Sequence, residues 1–444
     1  MSYCLASVLS VGDLLKRGTT PADSFHRGNF CRRCRSIQPS GFLARVSVSY
    51  PLADPRDRIL AASRDRLLAL PRGSQFEALA RRHSWPAAAL FSFFFWLLLL
   101  IIWCAPEQSG FSLAVLAVVA VSFPYLIWRA GYMLLSGQRG RAEGSRFSDH
   151  LFYIWPVWDG TNTPPGKGHD NLIRAEAQTP EAYARAILGG IKLLLLVALW
   201  KIVIQVMGAV VYGDPKSSLT PLLKGFYLGI PRLKQILGSD ASTPLFVMWV
   251  SLYLELIWET LSLAAKGHVW IGVLRLFGFN VFRNTYKPLL AETVVDFWNR
   301  YYYYFKELMM EFFFFPAYVR YFRKQPGLRM ITAVFAAAFV GNMYYHLLQA
   351  KDPLIAGNAD RLWAILGARL VYCFLLASGI AISMLRQQKL RGNPNAATTR
   401  AGGFSRVKRI ACVWTFFAVI NFWNAPANLT IAERGRLFLS LFGL

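Results

Sequence analysis

One histidine, two glutamates and an aromatic block are the groups whose types and spacing could do chemistry here. His346 is the only residue of 330–348, MITAVFAAAFVGNMYYHLL, that changes charge near neutral pH. An imidazole titrates close to neutrality, so it can take a proton from a hydroxyl and hand it on. Ionisable groups inside apolar spans are costly and usually functional. The structural alternative is a neutral ring bonded to a helix carbonyl, or one close to water, since Lys351 and Asp352 follow. Glu255 and Glu259 are four apart and share one helix face. They could pair with Arg275 or Arg300, or line a tunnel. Phe297, Trp298, Asn299 and Arg300 lead into the run Tyr301–Tyr304. Such aromatic runs most often face lipid or its interface.

These residues need elements to hold them, and the apolar runs predict which. A spanning helix takes about 20 mostly apolar residues. Runs of that kind fall at 86–104, 111–135 (with Pro124 as a kink), 184–212, 244–264, 330–350, 362–385 and 408–424. Lys192 and Lys201 within the third are costly at mid-membrane unless they face the bundle or reach back to the interface. Residues 214–242 mix Pro, Gly and short apolar pieces and are expected on the outer interface. Arg81 and Arg82 before the first run place the N-terminus inside. The stretch 386–409 holds seven basic residues and no acid, the strongest inside signal in the chain. Counting spans then puts the 265–287 stretch and the basic 320–329 loop on the inner side as well. So 291–316 is expected to enter and leave on one side, as a re-entrant or paired element. The predicted fold is all-α, a transmembrane helical bundle of about 7–10 membrane helices counting that element.

Residues 253–316 and 330–348 together resemble the membrane-bound O-acyltransferase family, in its bacterial polysaccharide and teichoic-acid branch. Leu276, Phe277, Gly278 and Phe279 match its first run, and Asn284 and Tyr286 approximate the turn that follows. Phe297, Trp298 and Arg300 match the aromatic-arginine block. Pro316 closes the next helix, and His346 falls where the family keeps its active-site histidine. The likeness covers roughly 100 of the 444 residues, a length close to one small domain. It implies acyl transfer from a thioester to a hydroxyl of an envelope polysaccharide, a lipid or a small molecule. His346 would be the base, with Tyr302 or Asn299 holding the developing charge. Trp298, Arg300, Glu255, Glu259 and Tyr345 would bind substrate. One departure stands out. The family carries histidine or asparagine two residues after the arginine, and here that position is Tyr302. With its high ordinary pKa a tyrosine donates rather than abstracts protons. The rival expectation is therefore an impaired relative, or a transporter or accessory factor of envelope assembly.

Composition excludes other classes. The chain is 55% hydrophobic and 16% charged, with mean hydropathy +0.34, on the membrane side of soluble averages. Its net charge of +25 comes from Lys and Arg clustered between apolar runs, as cytoplasmic loops require, and not from a nucleic-acid surface. No phosphate loop is present, since GKGHD at 166–170 lacks its spacing. Cys31 and Cys34 stand two apart with no second pair, so neither a metal nor a permanently bound cofactor is expected. Acyl-CoA or an acyl-carrier thioester is the expected co-substrate. Membrane lipid, the hydroxyl acceptor and an acyl-carrier or envelope-assembly protein are the expected partners. Residues 1–83, with 14 basic and six acidic residues, read as a disordered extension ahead of a membrane domain over 84–444. The expected location is the cell (inner) membrane.

Overall fold

The computed structural model describes residues 87–104, single positions within 115–135, and 169–223, 225–238, 243–391, 403–425 and 429–444. The 1–83 extension, Cys31 and Cys34, Pro124 with most of the second run, and the 392–402 loop lie outside the described residues. Those described form helices and no strand, with one isolated bridge between Glu176 and Phe279.

The principal helices are α1 (Ala87–Cys104), α2 (Pro180–Val206), α3 (Leu245–Leu276), α4 (Val294–Tyr301), α5 (Tyr303–Met309), α6 (Phe315–Arg320), α7 (Pro326–Phe335), α8 (Asn342–Gln349), α9 (Ala359–Arg391), α10 (Gly403–Asn424) and α11 (Ile431–Ser440). Wide π turns extend α2 over Met207–Tyr212, join α5 to α6 over Met310–Phe314, and join α7 to α8 over Ala336–Gly341. Among the described residues, four helical stretches are long and apolar enough to cross a membrane: Pro180–Tyr212, Leu245–Leu276, Pro326–Gln349 and Ala359–Gln388. That is the signature of a membrane protein.

Helix directions follow from paired contacts. In α2 and α3, Gly190 meets Gly272 while Gly208 meets Trp258, so the two are antiparallel. A Cβ on Gly190 would stand 2.8 Å from the Gly272 carbonyl; glycine is what lets these backbones touch. Outward from that contact, Leu188, Leu195, Leu199 and Ile202 are exposed, as lipid-facing side chains are. Lys192 and Lys201 are exposed too, so neither faces the bundle. Gly379 abuts Phe416, and Tyr372 lies across from Asn421, which makes α9 and α10 antiparallel. Tyr253 bonds Thr415 at 2.7 Å and Glu259 faces Asn421, so α3 and α10 run parallel.

That last relation overturns one expectation. Since α3 and α10 are parallel, the Leu276 end of α3 lies opposite the basic 386–409 end. Residues 265–287 and 386–409 therefore do not share a side. The chain changes ends through irregular backbone after Leu276 and reaches the basic end by Glu292, which pairs with Arg406 and Arg409 of α10. There Thr293 Oγ1 accepts a bond from Gln387 of α9 at 3.1 Å. Segment 214–238 also packs near the Leu245 end of α3, where Ser251 donates to the Pro231 carbonyl at 2.9 Å. Charge counting missed this because both ends of α3 carry basic residues.

From Thr293 the chain descends as α4 to Tyr302, breaks, and returns as α5–α6. Tyr318 then sits under Arg329, whose guanidinium lies 3.8 Å over its ring. Both arms thus open toward the basic end, although the expectation of a same-side element over 291–316 took 265–287 to lie there too. The closing helix α11 had no counterpart among the predicted elements. It is capped by Thr430 and Glu433, each bonding the other's backbone, and this T-x-x-E box was visible in the sequence.

Candidate functional site

The break at Tyr302 is made by the stretch 284–286. A helix end leaves backbone donors and acceptors that must find partners when buried. Here Tyr286 N donates to Arg300 O at 2.7 Å, and Thr285 Oγ1 donates to Tyr301 O at 3.0 Å. Tyr303 N donates to Asn284 O at 2.8 Å, and Tyr304 N to Asn284 Oδ1 at 3.2 Å. Asn284 and Thr285 are buried, and Gly267 gives Asn284 room against α3. Tyr302 itself adopts φ −142° and ψ 78°. The break therefore holds the Tyr302 side chain at the tip of a two-armed element.

That tip borders a cavity of about 210 Å³. Its wall takes Phe297, Trp298, Tyr301, Tyr302 and Phe305 from the broken element, Asn342, Tyr345 and His346 from α8, and Glu259 from α3. Tyr372 of α9 and Asn421 and Asn424 of α10 complete the polar part. Ring contacts brace it. Phe297 stacks on Phe417 at 3.7 Å between centroids, Tyr302 on Phe305 at 5.4 Å, and Tyr345 meets Phe305 edge-on at 4.7 Å. One water needs only about 10–15 Å³ on the same measure, so the space is large enough for a small organic group.

Five of the eight residues singled out from the sequence border this cavity: His346, Tyr302, Trp298, Tyr345 and Glu259. Three do not. Asn299 is exposed, one residue off the inward face of α4. Arg300 bonds Asp296 one turn back at 2.7 Å. Glu255 pairs with Arg232, whose Nε donates to it at 3.2 Å and whose guanidinium lies 4.3 Å over Trp258. The expected partners Arg275 and Arg300 are thus not used, and Arg275 instead donates to the Val281 carbonyl at 2.8 Å.

Two residues at the wall had gone unremarked. Asn342 and Asn421 are 2% and 5% exposed; Asn421 faces the Glu259 carboxylate, whereas the Asn342 Nδ2 makes no hydrogen bond. A buried amide donor left unpaired costs about 1–3 kcal/mol, so Asn342 asks for an acceptor in the cavity. Asn342 stands four residues before His346, on the same helix face; that spacing was the legible signal.

Among the described residues, no group of three or more His, Cys, Asp or Glu could hold a metal. The site offers instead an imidazole, four phenol hydroxyls, three carboxamides and one carboxylate. No family model matches the chain, and no curated protein matches it.

Proposed function

We propose that the chain is a multi-pass membrane O-acyltransferase of the membrane-bound O-acyltransferase type, moving an acyl group from a thioester to a hydroxyl. The observation that carries this reading is the cavity that both His346 and Tyr302 line, together with the unpaired amide donor of Asn342. His346 takes the proton of the acceptor hydroxyl. The oxygen attacks the thioester carbonyl, so a C–O bond forms and the C–S bond breaks. The imidazolium then protonates the leaving thiolate. Tyr302 and Asn342 donate to the carbonyl oxygen as charge grows on it.

In this reading the end bearing 320–329 and 386–409 is cytoplasmic. Trp103 donates to the Leu354 carbonyl at 3.2 Å at the opposite end, so this reading assigns Ala87, at the start of α1, to the cytoplasmic side. The element over 291–316 is then re-entrant from the cytoplasm. Irregular backbone at membrane depth requires buried partners, which 284–286 supply to Tyr302. Lys192 and Lys201 reach the headgroups along their stems. A coenzyme A or carrier thioester approaches the basic loops, and the acceptor comes from the other end or from lipid.

The test is mass spectrometry of envelope glycans and lipids in cells with the gene, without it, and with His346→Ala. A missing ester in both the deletion and the variant is expected, since general-base help contributes about 10²–10⁴-fold. An ester fully retained in the His346→Ala cells sinks the assignment. An impaired relative serving as accessory factor is the second reading, and Tyr302 in place of His or Asn favours it. It predicts no acyl transfer by the purified protein.

A further inference from the structure

Among the described residues that border the cavity, more than half are aromatic and none is lysine or arginine. Rings come from α4, α5, α8, α9 and α10, so five separate helices bound the space with them. The one carboxylate at this wall is Glu259. Leu256 and Leu263, about one turn to either side on the same face of α3, border the cavity with it. Among the described residues Glu259 forms no ion pair, and the group facing it is Asn421, a neutral amide. Arg232 is the cation that acts on Glu259, but its guanidinium bonds both oxygens of Glu255 and lies 4.3 Å over Trp258. Neither Arg232 nor Glu255 borders the cavity. One guanidinium thus stands against two carboxylates, and the negative charge left over is the one Glu259 carries at the cavity wall.

A carboxylate within an apolar span that no cation bonds is unfavourable and marks a substrate or ion path. Ring faces are negative as well, so an aromatic wall favours a cation, and quaternary ammonium is the usual occupant of such a cage. A primary ammonium brings three N–H donors that each need an acceptor. A trimethylammonium group brings none and presents methyl groups to the rings. We propose that the cavity takes a quaternary ammonium group of the substrate, its charge beside Glu259 and its methyl groups against the aromatic wall. A cavity of roughly 150 Å³ accepts benzene, so one of about 210 Å³ has room for a trimethylammonium head. The inference rests on the proposed function only in taking the cavity to hold substrate. It narrows the hydroxyl acceptor to alcohols that carry such a cation.

Choline and 3,3-dimethylbutan-1-ol share a shape and a hydroxyl and differ in the charge. Both, with ethanolamine, are titrated into the full-length protein in a neutral maltoside detergent by calorimetry. Choline is expected to bind at least about tenfold more tightly than its neutral twin, the weight of one or two desolvated cation–ring contacts, and more tightly than ethanolamine. Glu259→Gln keeps the size of the side chain. It is expected to weaken choline at least about fivefold, the weight of a contact ion pair even in water, and to hold 3,3-dimethylbutan-1-ol within about twofold. Equal affinity for choline and its neutral twin in the wild type, or ethanolamine ahead of choline, overturns the proposal. Unchanged choline affinity in Glu259→Gln overturns it as well. The wild-type comparison needs no variant, so it decides the matter even where Glu259→Gln fails to fold. Should His346→Ala retain the ester while choline still binds ahead of its twin, the acyltransferase reading falls and the cation site stands. Should the ester be lost while choline shows no preference, the cation site falls and the acyltransferase reading stands.

Discussion

Asn284 and Tyr304 are joined across the break at Tyr302, the Asn284 Oδ1 accepting from the Tyr304 N–H at 3.2 Å, twenty residues along the chain. The Asn284 carbonyl holds the neighbouring Tyr303 N–H as well. One residue therefore fixes where α4 stops and α5 begins. Asn284→Ala leaves the Tyr304 donor buried and unpaired, a loss of about 1–3 kcal/mol. Asn284→Asp keeps an acceptor at the same place. Thermal unfolding in detergent should rank the wild type first, Asp next and Ala last. Equal melting of Ala and wild type would mean the break is held by other contacts.

Gly341 ends the π turn between α7 and α8, one turn ahead of His346. A Cβ there would stand 2.7 Å from Cδ2 of Phe313 and 2.9 Å from Sδ of Met309. Met309 can yield, but Phe313 lies within the π turn of the returning arm. The two widened turns pack on each other through this glycine. Gly341→Ala should destabilise by about 1–3 kcal/mol, the usual range for overpacking a filled core. Circular dichroism melts would check it, with Gly327→Ala as control because nothing stands near a Cβ at that position.

How much of this was legible depended on the kind of signal. Apolar run length gave seven expected spans, and among the described residues four of them are helices long and apolar enough to cross a membrane, because hydrocarbon thickness sets length directly. His346 stood out because it was the only such group in its run. Asn342 was missed, although its spacing from His346 was legible, because a carboxamide carries no charge to draw notice within an apolar run. Tyr302 was legible as a departure from a family pattern, but the role of 284–286 in shaping it was not. Those bonds join residues about twenty apart through backbone groups, which side-chain types do not report. The direction of α3 failed for a related reason, since basic residues near Arg232 and near Arg275 flank both of its ends.

The pair between Glu292 and Arg409 gives a pH signature outside the spans. Arg409 Nη2 stands 2.8 Å from Glu292 Oε2, and Arg406 Nε 3.0 Å from Oε1. The hydrogen bond from Arg409, with both guanidinium charges, lowers the Glu292 pKa below its ordinary value of 4.5. A lowered carboxylate pKa adds stability that is fully present above the ordinary value and is lost as pH falls through the lowered one. Glu292 is about a third exposed, so the effect is screened and small. Wild-type melting temperature should therefore fall faster than that of Glu292→Gln as pH drops below 4.5, and the two should differ by a constant amount above pH 6. Parallel curves throughout would remove the pair from the set of contacts tying α4 to α10.

Tyr302 and Asn342 are both offered as donors to a growing negative charge, and single variants can separate them. Tyr302→Phe removes one hydroxyl and keeps the ring that stacks on Phe305. Asn342→Leu removes an amide whose Nδ2 has no hydrogen-bond partner in the protein, so it should not lower stability. A donor that acts only in the transition state lowers kcat and leaves KM nearly unchanged. The loss expected for a main oxyanion donor is about 10²–10³-fold. If Tyr302 is that donor, Tyr302→Phe shows the full loss and Asn342→Leu a smaller one. If Asn342 takes the role that His or Asn plays at position 302 in the family resembled, the order reverses and Tyr302→Phe stays active. A raised KM with unchanged kcat in both variants would show that they bind substrate without serving the chemical step. Turnover by both at the wild-type rate and KM would leave His346 without any oxyanion support and end the proposed mechanism.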